Sequence, residues 1–162
     1  MHKNKIPTAR FQIFEKPNAA IDYIKGMTHP FAIKPDFKSH QDGSKFFETF
    51  NQGQKMINDL FSKGNKKIII EDYIEGKNVS VWVLSDGYSA KIIGTSAKYQ
   101  NDIAYFEPEF LSEEIKNKMF DSAIMPTIFA MSENSEEYMG ILGFDFMLDK
   151  SNNFYLVNYN SF

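Results

Sequence analysis

Two β-rich runs, residues 78–84 and 88–95, flank Ser85-Asp86-Gly87, and no other feature restricts the fold as strongly. Asp-Gly supplies the left-handed backbone that a tight hairpin needs, so the middle of the chain is expected to turn back on itself as antiparallel sheet. Residues 141–148 and 154–159 form two more β runs around Asp149-Lys150-Ser151-Asn152-Asn153, a polar turn cluster. Between the hairpins Ser112 is placed to cap a helix, with Glu113 and Glu114 in the first turn where carboxylates suit the helix dipole. Ile115, Met119, Ala123, Ile124 and Ile128 continue that helix as one apolar stripe. Pro126 lacks an N–H and collides with the preceding turn, so it should kink or split the helix.

The first half has a different rhythm. Residues 9–14 alternate apolar and polar side chains, Lys16-Pro17-Asn18 punctuates, and Ala19, Ala20, Tyr23 and Ile24 recur at helical spacing until Gly26. Residues 31–34 are a second strand, closed by Lys34-Pro35, which delivers Lys34 to a loop over residues 36–45. Met56, Ile57, Leu60 and Phe61 mark a helix ending near Gly64, and residues 67–71, built on Ile68-Ile69-Ile70, read as a buried strand. A β-α-β-α lobe thus precedes hairpin, helix and hairpin. The expectation is an α+β chain of two small α/β sublobes, residues 1–72 and 73–162, joined through Glu71 to Gly76. Sixteen Phe and eight Tyr supply the bulk for real cores, and the 162 residues leave no room for a multidomain array.

Composition removes several kinds of chemistry. Cysteine is absent, which excludes disulfides, thiolate metal sites and thiol nucleophiles. Eighteen Lys and Arg against 21 Asp and Glu give a net charge of -3, so no global field draws the chain to nucleic acid or an anionic membrane. No signal-type apolar stretch follows the N-terminus and no run is long enough to span a bilayer, so a cytoplasmic location is expected. His2, His29 and His40 have no metal-ligand spacing, and neither a Ser-His-Asp arrangement, a P-loop nor G-x-G-x-x-G is legible, leaving catalytic residues unassigned.

Three places still carry polar groups where a ligand would use them. Asp145 interrupts 140–148 between Phe144 and Phe146, where an unpaired carboxylate on a largely buried strand would be costly. Antiparallel pairing with the last strand would set it beside Asn158 and Asn160, on a face shared with Leu156. Such oxygen donors suit a phosphate-bound magnesium, and they equally suit a buried Asp-Asn hydrogen-bond cluster. Lys34, at a strand end, suits a phosphate oxygen or simple solvation. Glu71 to Gly76 is either a hinge whose backbone meets the edge of a purine, or a strand end with solvated acids.

In this order, these segments resemble the ATP-grasp superfamily, and within it the phosphoribosylamine-glycine ligases. The likeness runs along nearly the whole chain: Ile6-Pro7-Thr8-Ala9 with residues 11–24, Ile33-Lys34-Pro35-Asp36, residues 69–76 with Val79-Ser80, Phe110 to Glu114 with Met125-Pro126-Thr127, residues 140–148 and residues 155–160. The resemblance implies an ATP-grasp fold with a nucleotide cleft between its sublobes. It puts Lys34 near the phosphates, Glu71 and the backbone of Tyr73 and Ile74 at adenine, and Mg2+ at Asp145, Asn158 and Asn160. The implied cofactors are ATP and Mg2+, the implied partner a small-molecule nucleotide, and the implied chemistry ATP-dependent carboxylate-amine ligation in purine biosynthesis.

Four departures from the family pattern set further expectations. Phe37-Lys38-Ser39-His40-Gln41-Asp42-Gly43-Ser44 stands where the family has a glycine-rich phosphate cover, and bulky side chains hinder the backbone's approach. Asn158 replaces a metal-binding glutamate, which removes one negative charge. The substrate loop is shortened to about residues 98–106. The chain also starts inside the family's domain order and stops at Ser161-Phe162, so domains are expected to be missing, and apolar surface left exposed by their absence would favour self-association. Impaired ligation by the lone chain is the first reading; a catalytically silent remnant serving as a nucleotide-binding or protein-interaction module is the second.

Overall fold

The computed structural model describes residues 5–35, 45–98, 104–133 and 138–162. It divides into two compact units, Ala9–Tyr73 and Met1–Thr8 together with Ile74–Phe162.

In the first unit, β1 (Phe11–Phe14), β2 (Phe31–Pro35), β3 (Lys45–Phe47) and β4 (Ile68–Asp72) form a sheet in the order β1-β4-β2-β3, antiparallel throughout. Pro17 is the first residue of α1 (Pro17–Lys25), where its missing N–H costs nothing. With α2 (Phe50–Ser62), this helix lays Ala20, Ile24, Met56, Ile57 and Leu60 on Phe14, Phe31, Ile33, Ile68 and Ile70. The isoleucine triplet is divided by the pleat. Ile68 and Ile70 are fully buried, while Ile69 lies on the opposite face in register with Ile13 and Lys34. Helix α2 comes so near β2 that a Cβ on Gly53 would stand 2.6 Å from Phe31 Cζ. The expected loop over residues 36–45 lies outside the described residues except for Lys45, which opens β3, a strand with no clear sequence signal.

The second unit is built on β5 (Gly76–Asp86), β6 (Ala90–Lys98), β7 (Ala104–Phe106), β8 (Met139–Asp149) and β9 (Phe154–Ser161), in the order β7-β6-β5-β8-β9 and again antiparallel. Both expected hairpins form. Gly87 supplies a positive φ of 93° in the first turn, and Asp86 Oδ1 accepts the backbone N–H groups of Tyr88 and Ser89 at 3.0 and 2.7 Å. In the second, Asp149 Oδ1 accepts those of Ser151 and Asn153 at 2.8 and 2.9 Å.

Ser112 caps α3 (Glu113–Met119), its Oγ accepting from the Ile115 N–H at 3.3 Å. Pro126 splits the expected helix without opening a gap. One π-helical turn over Phe120–Ile124 separates α3 from α4 (Met125–Glu133), and the Met125 N–H reaches back to the Phe120 carbonyl. A wider ring carries the preceding carbonyls clear of the proline, and Thr127 Oγ1 donates to the Ala123 carbonyl at 2.7 Å.

These helices cover one face of the sheet, where Val79, Val81, Val83, Leu142, Phe144 and Phe146 meet Met119, Ala123, Ile124 and Ile128. The alternate residues Ser80, Trp82, Gly143 and Asp145 lie on the other face. The segment ending at Thr8 belongs to this unit through physical contacts: Ile6 is buried in its core, and the Leu156 N–H donates to the Pro7 carbonyl at 2.7 Å.

One expectation needs correction. Leu156, Asn158 and Asn160 do not share a face, because a β-bulge interrupts the β8–β9 ladder. Phe146 faces Leu156 and Asp145 faces Asn158, which leaves Val157 as the extra residue. Leu156 therefore enters the core while both asparagines stay on the Asp145 face. Among the described residues, no helix is long and apolar enough to cross a membrane.

Candidate functional site

In the first unit the polar feature lies on the sheet face away from the helices. Ala32 is opposite Glu71 and Lys34 opposite Ile69, so Lys34 and Glu71 are diagonal neighbours across β2 and β4. Lys34 Nζ lies 2.6 Å from Glu71 Oε1, with the side chains 21% and 16% exposed. Neither reading of Lys34 as simply solvated nor of Glu71 as a solvated strand end fits so enclosed a pair.

Tyr73 follows directly, and its N–H donates to the Pro30 carbonyl at 3.2 Å, extending the β2–β4 ladder by one rung. Any contribution of Tyr73 to a purine edge is thereby narrowed to its carbonyl. Its ring packs on Phe46, with centroids 4.2 Å apart and both side chains exposed. Phe46 was not distinguishable from other aromatic residues in the sequence. Asp72 is held by Arg10 Nε at 3.1 Å and His29 Nε2 at 3.0 Å, which fixes the end of β4.

In the second unit Ser80, Asp145 and Asn158 stand in one row across β5, β8 and β9. Ser80 Oγ donates to Asp145 Oδ1 at 2.6 Å, Asn160 Nδ2 approaches Oδ2 at 3.5 Å, and Asn158 Nδ2 donates to Asn160 Oδ1 at 3.3 Å. The three residues named from the sequence are thus together, and Ser80 joins them. Its part was hidden because Ser80 and Asp145 are 65 residues apart and nothing local reveals the register of β5 and β8. Ile74, half-buried at the start of this unit, lies in the connection from β4 to β5.

The donor set consists of one carboxylate, two amides and a hydroxyl. Among the described residues no group of three or more His, Asp or Glu side chains is gathered to hold a metal. A cation at Asp145 would have one protein charge and would need its remaining ligands from water or phosphate, which is how Mg2+ is usually held. A surface cavity of about 640 Å3 in this unit, lined by Ser112, Lys118, Asn153 and Tyr155 among others, includes none of these residues. Nearby Asp149 serves the turn instead. The Asn153 side chain, with the backbone N–H groups of Asn153 and Ser151, holds its carboxyl below the usual carboxylate range.

A family model described as the phosphoribosylglycinamide synthetase ATP-grasp (A) domain matches residues 1–162. The chain belongs to this ATP-grasp family. It is 27% identical to the phosphoribosylamine-glycine ligase of Clostridium acetobutylicum, over 99% of this chain and 42% of that protein. Against the Escherichia coli enzyme of the same name it is 24% identical, over 98% of this chain and 41% of the relative. The chain therefore spans about two fifths of the length of the curated relatives it matches.

The fold agrees with the family. The structure of phosphoribosylamine-glycine ligase from Thermotoga maritima superimposes with a TM-score of 0.78 at 20% identity, covering 99% of this chain and 44% of that one. Biotin carboxylase from Campylobacter jejuni gives 0.76 at 17% identity over 98% of this chain and 37% of its own. The ATP-grasp fold and the kinship expected from the sequence are both borne out. The whole of the unusual phosphate-cover segment, residues 37–44, and residues 99–103 of the shortened substrate loop lie outside the described residues.

Proposed function

We propose that this chain is the nucleotide-binding domain of a cytoplasmic, ATP-dependent carboxylate-amine ligase of the phosphoribosylamine-glycine ligase type, acting in purine biosynthesis with Mg2+. The observation that carries the reading is the Asp145 cluster. A half-buried acid held by Ser80, with two amides beside it on a rigid sheet, is the kind of oxygen-donor platform that a phosphate-bound cation requires. Two solved relatives of the same fold add support, since both the Campylobacter jejuni biotin carboxylase and the Bacillus anthracis D-alanine-D-alanine ligase are described as ATP-type complexes. The second shares 17% identity at a TM-score of 0.72.

In this ligation a carboxylate oxygen attacks the γ-phosphorus of ATP, the bond to the β-γ bridging oxygen breaks, and ADP leaves. An amine then attacks the acyl phosphate carbon and expels inorganic phosphate, with loss of a proton from nitrogen. Positioning and charge compensation supply most of such catalysis. Lys34 is the cation for phosphate oxygens, poised by Glu71 and stripped of much of its water before a ligand arrives. Glu71, the Tyr73 carbonyl and the Ile74 backbone are the groups for the adenine edge. Asp145, Asn158 and Asn160 would hold magnesium through one carboxylate and two amide oxygens. Bound there, magnesium would neutralise phosphate charge. One carboxylate in place of two lowers the affinity expected of the site.

Calorimetric titration with ATP and MgCl2 tests the reading. Magnesium-dependent binding that weakens at least tenfold in Lys34→Ala supports it. No heat at millimolar ATP and magnesium would overturn it.

A further inference from the structure

We infer that Ser80 is a positioning residue for the cation site, fixing the orientation of Asp145 from the neighbouring strand. This rests on the reading of Asp145 as a metal ligand. A lone carboxylate on a strand can rotate about χ2, and each orientation presents a different oxygen to a ligand. Ser80 removes that freedom. It lies directly across from Asp145 in the β5–β8 ladder, and its hydroxyl reaches Oδ1 at 2.6 Å, short enough to be a charge-assisted hydrogen bond. Oδ2 is left on the side of Asn160, whose amide is 3.5 Å away, a longer and weaker contact that a cation can replace.

The asymmetry has a chemical consequence. One oxygen is tied to the central strand β5, and the other faces the two asparagines that share the site. Hydrogen bonds of this outer kind orient metal-binding carboxylates, and losing one typically weakens metal binding by about 10–100-fold. The effect should be pronounced here, because among the described residues Asp145 is the only carboxylate in the cluster.

The test measures ATP affinity by calorimetry with MnCl2 and with EDTA, the ratio being the metal-dependent gain. Wild type is compared with Ser80→Ala, Ser80→Thr, Asp145→Asn and the Ser80→Ala/Asp145→Asn double variant. We expect Ser80→Ala to lose about tenfold of the gain while the EDTA affinity stays unchanged, Ser80→Thr to restore it, and the double variant to match Asp145→Asn. A purely structural serine would alter the melting temperature and leave the gain alone. Should Ser80→Ala not fold, Ser80→Cys, similar in size with a weaker donor, is read in the same way. A full gain in Ser80→Ala, alongside its loss in Asp145→Asn, overturns the positioning role and spares the metal site. A gain that survives Asp145→Asn, or that is missing from wild type, overturns the metal site and this inference with it.

Discussion

Replacing Lys34 with methionine leaves Glu71 without its cation in a place where only 16% of its side chain is exposed. Exposed ion pairs contribute about 0–1 kcal/mol. Stripping one partner from a fully buried pair costs about 3–5 kcal/mol. With both side chains mostly covered, the loss should be about 1–2 kcal/mol, or about 3–6 °C in Tm for a chain of this size. The companion variant Lys34→Met/Glu71→Leu removes both charges. Ile13 and Ile69 already line that face, so an apolar pair fits, and stability should return to within about 0.5 kcal/mol of wild type. Denaturant unfolding followed by circular dichroism measures both variants, with the slope m checked for constancy. Additive losses in the double variant, or a single variant as stable as wild type, would refute the coupling read from the 2.6 Å contact. The double variant also separates stability from function. It should fold normally and fail to bind ATP with magnesium, and normal binding would remove Lys34 from the phosphate site.

Gly53→Ala should destabilise by about 1–3 kcal/mol in thermal unfolding, because the new methyl meets the Phe31 ring at 2.6 Å, although Ala is otherwise the better helix former. Asp149 and Asp86 have folded pKa values below their unfolded ones, Asp149 chiefly through the Asn153 side chain and Asp86 chiefly through the Ser89 backbone N–H. Their contribution is present above about pH 4 and is lost as pH falls through the lower folded values. Asp149→Asn should therefore flatten the acid limb of a stability-against-pH curve, and an unchanged limb would count against these turn bonds. Deleting Val157 should preserve the pairing of Asp145 with Asn158, whereas deleting Tyr159 should separate Asn160 from Asp145. Strand-to-strand NOEs distinguish the two.

The fold was legible where the signal was local. Asp86-Gly87 marked its hairpin, Ser112 its helix cap and Pro17 a boundary, because each acts on backbone within a few residues. Strand β3 was missed: it is three residues long, and its pairing with β2 is set by tertiary contact rather than by its own pattern. Pro126 announced a disturbance in the helix, yet nothing local distinguished a kink from the π turn that absorbs it. At the candidate site, the alternation of Asn158 with Asn160 and the polar turn at residues 149–153 pointed to pairing with Asp145, but the bulge that turns Leu156 to the other face left no local sign. Ser80 and the Lys34–Glu71 contact were out of reach, since both depend on the register of strands far apart in sequence.

The bulge at Val157 explains how a single short strand can serve both a core and a polar site. In an unbroken ladder, residues two apart point the same way, so Leu156 in the core would drag Asn158 and Asn160 in after it. Burying two amides among Phe144, Phe146 and Leu142 would cost about 1–3 kcal/mol each without partners. Exposing Leu156 instead would forfeit about 1.5–3 kcal/mol of apolar burial. One inserted residue removes the conflict: the strand changes face after Leu156, and the amides come out beside Asp145. The extra residue is exposed and makes no demand of its own. Where a strand's alternation would set amides and a core leucine on one face, while a facing acid sits between two buried phenylalanines, the ladder has to slip by one between them.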